Sequence, residues 1–283
     1  MVKIIECPRD AMQGLHDFIL TDVKANYINQ LLKVGFDTID FGSFVSPKAI
    51  PQLKDTAEVL NLLDLSTTKS KLLSIVANQR GAIDACNFEE INYLGFPFSI
   101  SETFQQRNTN ASISESLIRV ADIQNLCIKN NKELVVYISM AFGNPYGDEW
   151  NAQIVIEWTK KLSDLGIKII ALSDTIGISN EENISYLFSN IIPEFDTIEI
   201  GAHLHTTPTT WKEKVNAAYI NGCKRFDGAI KGFGGCPMAT DDLTGNMATE
   251  NLIEYFNQNK IETGLNQNEF NQSMIDALKV FPI

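Results

Sequence analysis

The chain has 283 residues, of which 44% are hydrophobic and 20% charged, the balance of an ordinary globular enzyme. A formal net charge of -12 argues against the basic stripe that nucleic-acid phosphates need. No run approaches the roughly 18 consecutive apolar residues of a membrane helix. The five cysteines are scattered without a CxxC pair and the N-terminus lacks a signal-peptide layout, so a cytoplasmic protein with reduced thiols is expected.

Along the chain, short apolar runs alternate with segments of helical spacing. Residues 3–6, 38–41, 72–77, 90–94, 134–141, 169–173, 198–205 and 225–230 read as strands. Between them, Ile28, Leu31, Leu32 and Gly35 sit at i, i+3, i+4 and i+7, and Val155, Trp158, Leu162 and Leu165 repeat much the same spacing. Eight strands, each followed by a helix, is the count of a (β/α)8 TIM barrel. An open doubly wound sheet shares the alternation, so the count favours the barrel over that alternative. No linker or low-complexity tract divides the chain, and one domain spanning 1–283 is expected, with a short C-terminal helical extension near residues 268–279.

In such barrels the chemistry sits at the C-terminal ends of the strands and in the loops that follow. Arg9 and Asp10 follow the first strand, Asp40 ends the second, Tyr137 lies within the fifth and Asp174 ends the sixth. His203 and His205 end the seventh, and the glycine-rich stretch that carries Cys236 follows the eighth and closes at Gly245-Asn246. Residues two apart on a strand point to one face, so His203 and His205 form half of a metal site. Asp10 and Asn246 are the best-placed oxygen donors to complete it, and two nitrogens with two oxygens suit Mg²⁺ or Mn²⁺, leaving two positions for a chelating substrate. Taken alone, the pair also fits two strand-end histidines bonded to backbone. The glycine loop lacks the Gly-Lys-Ser/Thr ending of a nucleotide loop, and its cysteine is a candidate acid or base or, equally, an inert thiol in a turn.

Five ordered motifs resemble hydroxymethylglutaryl-CoA lyase, a family of the DRE-TIM metallolyase superfamily. They are Cys7-Pro8-Arg9-Asp10-Ala11-Met12-Gln13, Ser43-Phe44-Val45-Ser46-Pro47-Lys48, Ser173-Asp174-Thr175-Ile176-Gly177, His203-Leu204-His205, and Gly232-Phe233-Gly234-Gly235-Cys236-Pro237 closing at Gly245-Asn246. The resemblance implies a retro-Claisen cleavage of 3-hydroxy-3-methylglutaryl-CoA to acetyl-CoA and acetoacetate. It implies Asp10, His203, His205 and Asn246 as ligands of a divalent metal, and Arg9 as the charge that stabilises an enolate oxygen. Cys236 matches the family's loop cysteine, placed for proton transfer. Asp174 matches a site aspartate, Tyr137 a tyrosine near the substrate, and Asp40 the position of a family glutamate. An acyl-CoA substrate and a homo-oligomer, dimer or higher, follow as the expected partners, with neither nucleic acid nor membrane.

Departures cluster after His205. The family continues with Asp-Thr and soon a glycine, whereas this chain reads Thr206-Thr207-Pro208-Thr209, and a nearby asparagine is replaced by Lys214. Thr206 cannot supply a carboxylate to orient a metal-bound histidine. The altered segment leaves open a related lyase or aldolase acting on another 3-hydroxyacyl-CoA or hydroxy acid, or a barrel that binds metal without catalysis. His16, alone in a changed loop, reads as a surface residue, and Lys48 as a possible contact for a coenzyme A phosphate.

Overall fold

A computed structural model describes residues 1–235 and 244–281. Its apolar runs form eight parallel strands: β1 (Lys3–Glu6), β2 (Thr38–Ser43), β3 (Lys71–Ile75), β4 (Ile91–Ser99), β5 (Glu133–Ser139), β6 (Ile169–Ser173), β7 (Glu199–His203) and β8 (Arg225–Gly228). Each pairs with the next, and β8 pairs back to β1, closing the barrel. The helices in chain order are α1 (Pro8–Gln13), α2 (Thr21–Leu32), α3 (Thr56–Asn61), α4 (Gln79–Cys86), α5 (Glu102–Thr109) and α6 (Ile113–Lys129). Then come α7 (Ala152–Asp164), α8 (Glu181–Glu194), α9 (Trp211–Ile220), α10 (Thr249–Gln258) and α11 (Gln267–Val280). The fold is the expected (β/α)8 barrel with a C-terminal helix.

Local chemistry sets the helix boundaries. Ser112 and Glu115 form a reciprocal capping box at the start of α6, and Asn180 and Asn183 do the same for α8. Just beyond α2, Gly35 stands at φ +88°, a left-handed conformation that tolerates few side chains and stops the helical spacing there. The extension α11 packs on α2. Phe281 meets Tyr27 edge to face at 5.8 Å, and Asn266 N–H donates to Val34 O at 2.8 Å.

One strand runs further than its sequence pattern suggests. The apolar run at 90–94 stops at Gly95 and Pro97, yet β4 continues to Ser99, with Pro97 in register with Tyr137. At Gly95 the interior of the barrel leaves no room for a side chain. A Cβ there would lie 2.5 Å from Ile75 Cδ1 and 3.2 Å from the Tyr137 ring. Glycine thus makes room for the side chains of β3 and β5, and does not mark a turn.

Two layers of apolar packing result. The larger lies between strands and helices and is built from residues such as Ile39, Leu94, Ile138, Leu172, Leu187 and Phe226. The smaller fills the lumen on the β3–β6 side with Leu73, Ile75, Tyr93, Val135, Tyr137, Ile169 and Ala171. Alternation along β7, β8, β1 and β2 aims a different set inward, including His203, Arg225, Asp227, Cys7 and Asp40. No helix among the described residues is long and apolar enough to cross a membrane.

Candidate metal and active site

The first helix starts on Pro8, whose missing N–H costs nothing at a helix start. One turn of α1 presents Arg9, Asp10 and Gln13 together. Arg9 Nη2 and Nε both donate to Asp40 Oδ2, at 2.5 and 2.9 Å, and Nη1 donates to Asp10 Oδ1 and Gln13 Oε1, each at 2.9 Å. Gln13 Nε2 donates to Asp10 Oδ1 at 2.7 Å, so Arg9 and Gln13 fix one edge of that carboxylate. Burial works against the Arg9 charge, but Asp40 and Asp10 outweigh it and raise its pKa further. Burial also lifts the Asp40 carboxyl to about 6, with Arg9 offsetting only part of the effect.

His203 ends β7 in register with Asp227 of β8, and its Nδ1 lies 3.0 Å from the Asp227 carboxylate. A carboxylate holding one ring nitrogen fixes the tautomer and leaves Nε2 as the free donor atom. Burial alone would lower the His203 pKa, but Asp227 and Asp10 raise it overall. His205 behaves in the opposite way. Burial, then the neighbouring His203, push it down to about 4, so its ring is neutral at pH 7, and its buried Nδ1 has no partner among the described residues.

The return limb of the glycine loop brings in the fourth residue. His205 and Asn246 form an antiparallel bridge, Thr206 N–H donates to Gly245 O, and Met247 N–H donates to Leu204 O, both at 2.9 Å. Asn246 Nδ2 donates to Asp10 Oδ2 at 2.7 Å and to Phe233 O at 2.8 Å. Gly234, at φ +91°, allows this approach, because a Cβ there would lie 2.7 Å from Asp10 O and 2.8 Å from Asn246 Nδ2. Donor atoms of Asp10, His203 and His205 all lie within 4.8 Å of one another. Burial would raise the Asp10 carboxyl, but Arg9, both histidines and Asn246 hold it below its ordinary value. An ionised carboxylate, a neutral imidazole with a bare nitrogen and a carboxylate-oriented imidazole fit a divalent cation. Cys7, with His203 and Asp227, forms a second such group. Burial, then Asp227, push its thiol well above the ordinary range, and a protonated thiol is a poor ligand.

Arg9, Asp10, His203 and His205 line a cavity of about 920 Å³, whereas Asn246, Asp227 and Cys7 do not. Tyr137 lines it, its ring edge-on to His203 with centroids 5.7 Å apart. Val45, Ile50 and Phe104 add apolar wall, and the more exposed Lys54, Arg107 and Arg119 line it too. His16 is exposed, as expected, but also lines the cavity, whereas the exposed Lys48 does not.

Asp10, His203, His205, Asn246, Arg9 and Tyr137 are thus brought together, with Asp40 behind Arg9. Asp174 stands apart from this group. It does not line the cavity, because its carboxylate is taken up by Ser179 N and Oγ and by Lys214 Nζ. Cys236 lies outside the described residues. Neither Asp227 nor Gln13 stands out in the sequence as a site residue. The signal for Asp227 was present in the alternation Arg225-Phe226-Asp227, which aims two charged residues into the barrel.

The HMGL-like family model matches residues 2–274. The hydroxymethylglutaryl-CoA lyase YngG of Bacillus subtilis is 34% identical over 258 residues, covering 91% of this chain and 85% of that protein. The crystal structure of an HMG-CoA lyase from Bacillus subtilis superposes with a TM-score of 0.92 at 32% identity, covering 98% of this chain and 93% of that one. An HMG-CoA lyase from Acinetobacter baumannii, solved with coenzyme A and 3-methylmalate, gives 0.91 at 29% identity, covering 99% and 91%. With its barrel and motif order shared nearly end to end, this chain belongs to the HMGL-like family of lyases.

Proposed function

We propose that the protein is a divalent-metal-dependent carbon–carbon lyase that cleaves 3-hydroxy-3-methylglutaryl-CoA to acetyl-CoA and acetoacetate. The observation that carries this reading is the convergence of Asp10, His203 and His205 beside the paired guanidinium of Arg9, on the wall of one large cavity. Asp10, His203, His205 and Asn246 would hold the metal, Mg²⁺ or Mn²⁺. When bound, that ion supplies a Lewis acid that lowers the pKa of the substrate's tertiary hydroxyl.

The chain's own residues do the rest. Asp227 holds His203 in one ring orientation. Asp40 and Gln13 hold the Arg9 fork, which no rotation about a single bond can then turn away. A fixed positive charge in a buried site stabilises the enolate oxygen that develops as the carbon–carbon bond breaks. Tyr137 packs against His203 and narrows the site. Cys236 is assigned proton transfer to the departing enolate carbon on the family resemblance. Lys54, Arg107 and Arg119 give an otherwise acidic protein a local set of cations on the cavity, which suits the phosphates of an acyl-CoA.

The test is release of acetyl-CoA and acetoacetate from hydroxymethylglutaryl-CoA with Mg²⁺, with Mn²⁺ and with EDTA. Metal-dependent release is the expected result. Absence of cleavage with metal bound would overturn the substrate assignment and turn attention to another 3-hydroxyacyl-CoA, with segment 206–214 as the place to look.

A further inference from the structure

We infer that Lys214 is the positioning residue of the metal site: its buried ammonium fixes the main chain that carries His205 and Asn246. This rests on the reading of Asp10, His203, His205 and Asn246 as a metal site.

Lys214 lies on α9 and is 1% exposed. An ammonium is seldom buried that deeply unless all of its donors are used. Its three N–H groups meet three acceptors: Asp174 Oδ2 at 2.8 Å, His205 O at 2.9 Å and Gly177 O at 3.0 Å. The Asp174 carboxylate is saturated in turn by Ser179 and Lys214. Neither Lys214 nor Asp174 lines the cavity, so the pair has no free atom with which to touch a substrate. What it does is hold two backbones.

The first backbone is that of His205 itself, whose bridge to Asn246 and flanking bonds couple residues 204–206 to 245–247. The second is the turn after β6. A Cβ on Gly177 would lie 2.6 Å from Thr244 Cγ2, and Thr244 Oγ1 donates to Ile176 O at 3.4 Å. The ribbon bearing His205 and Asn246 therefore rests against a turn to which one ammonium ties it. Without that tie, His205 O loses its only cationic partner among the described residues, and the ribbon keeps its internal bonds but not its fixed place beside Asp10.

The experiment uses the full-length protein and three variants. D174N keeps an acceptor for Lys214 and leaves its bond to His205 in place. D174N/K214M and D174N/K214Q remove the ammonium without stranding a buried carboxylate. Mn²⁺ affinity is read from the EPR signal of the free ion, folding from thermal melts, and ring environment from ¹⁵N-histidine spectra of the metal-free protein, where only His16, His203 and His205 contribute. The expected result is near-parental Mn²⁺ affinity in D174N and a loss of about 10–100-fold in whichever double variant folds. The His205 resonance should move and that of His16 should not. Parental affinity with an unmoved His205 resonance in a folded double variant would overturn the proposal. So would failure of both double variants to fold, which would make the role purely structural. If the parent itself binds no Mn²⁺, the metal-site reading fails instead, while the metal-free spectra still decide whether Lys214 positions His205.

Discussion

The two halves of the barrel lumen are built on opposite principles. On β3–β6 the middle of the lumen is filled by Leu73, Ile75, Tyr93, Val135, Tyr137, Ile169 and Ala171, with Ser139 and Ser173 at the cavity end and Lys71 bonded to Tyr93 at the other. On β7, β8, β1 and β2 the inward positions include His203, Arg225, Asp227, Cys7 and Asp40. Several atoms there, among them Asp40 Oδ1, Asp227 Oδ1 and Arg225 Nη2, are buried without a partner among the described residues. Unpartnered buried polar atoms are destabilising, and a domain's net stability is small, so a lumen built entirely like the second half would not hold together. The apolar half supplies packing against which the polar half can keep charges at fixed positions. Stability and chemistry are thus assigned to different strands of one closed sheet.

This contrast is open to direct attack. Leu73→Ala, in the apolar half, should cost about 2–5 kcal/mol of stability in urea denaturation and leave kcat unchanged. A large fall in kcat with little loss of stability would erase the distinction. Arg9→Lys, in the polar half, keeps the charge beside Asp40 and Asp10 but loses the guanidinium fork, and should lower kcat about 10²–10³-fold in steady-state kinetics while the barrel stays folded. The pH dependence of stability sharpens the same point. Burial holds His205 at about 4 in the folded protein, below its ordinary value of 6.5, so the unfolded chain takes up a proton that the folded one refuses. His205 by itself should therefore contribute a gain of roughly 3 kcal/mol to the metal-free protein between about pH 4 and pH 6.5, set against the opposite contributions of Asp40, lifted to about 6, and Glu6, lifted to about 8. His205→Leu should remove that gain and make the slope of stability against pH more negative over this range, and an unchanged slope would count against a neutral His205. The smallest effect is expected for Asp227→Asn, which keeps the shape of the His203 partner but not its charge. Mn²⁺ affinity should fall about 10–100-fold, measured by titration, with little change in melting temperature.

Much of this architecture is legible in the order of residues. Strand and helix periods, β1 and β6 to the residue, the barrel count, and the ordered motifs around Arg9, Asp10, His203, His205 and Asn246 are local patterns, and local patterns survive in a one-dimensional string. The sequence pattern of β4 is shorter than the strand because Gly95 and Pro97 signal turns in isolation. Only the side chains of Ile75 and Tyr137, far away in sequence, show why a glycine belongs inside that strand. Asp174 illustrates the opposite case. It ends a strand where catalytic groups belong, yet a lysine 40 residues later and Ser179 take its carboxylate away from the cavity.

The sequence by itself determined the fold and the family, because both depend on residue identity at short, regular spacing. Tertiary structure alone decided which carboxylate orients His203, which residues confront the cavity, and what holds the ribbon of His205 and Asn246 in place. Those are contacts between residues tens to hundreds of positions apart, set by barrel closure and strand register. Asp227 can meet His203 only because β7 and β8 pair at that register, and Lys214 can reach His205 O only because α9 folds back beneath it.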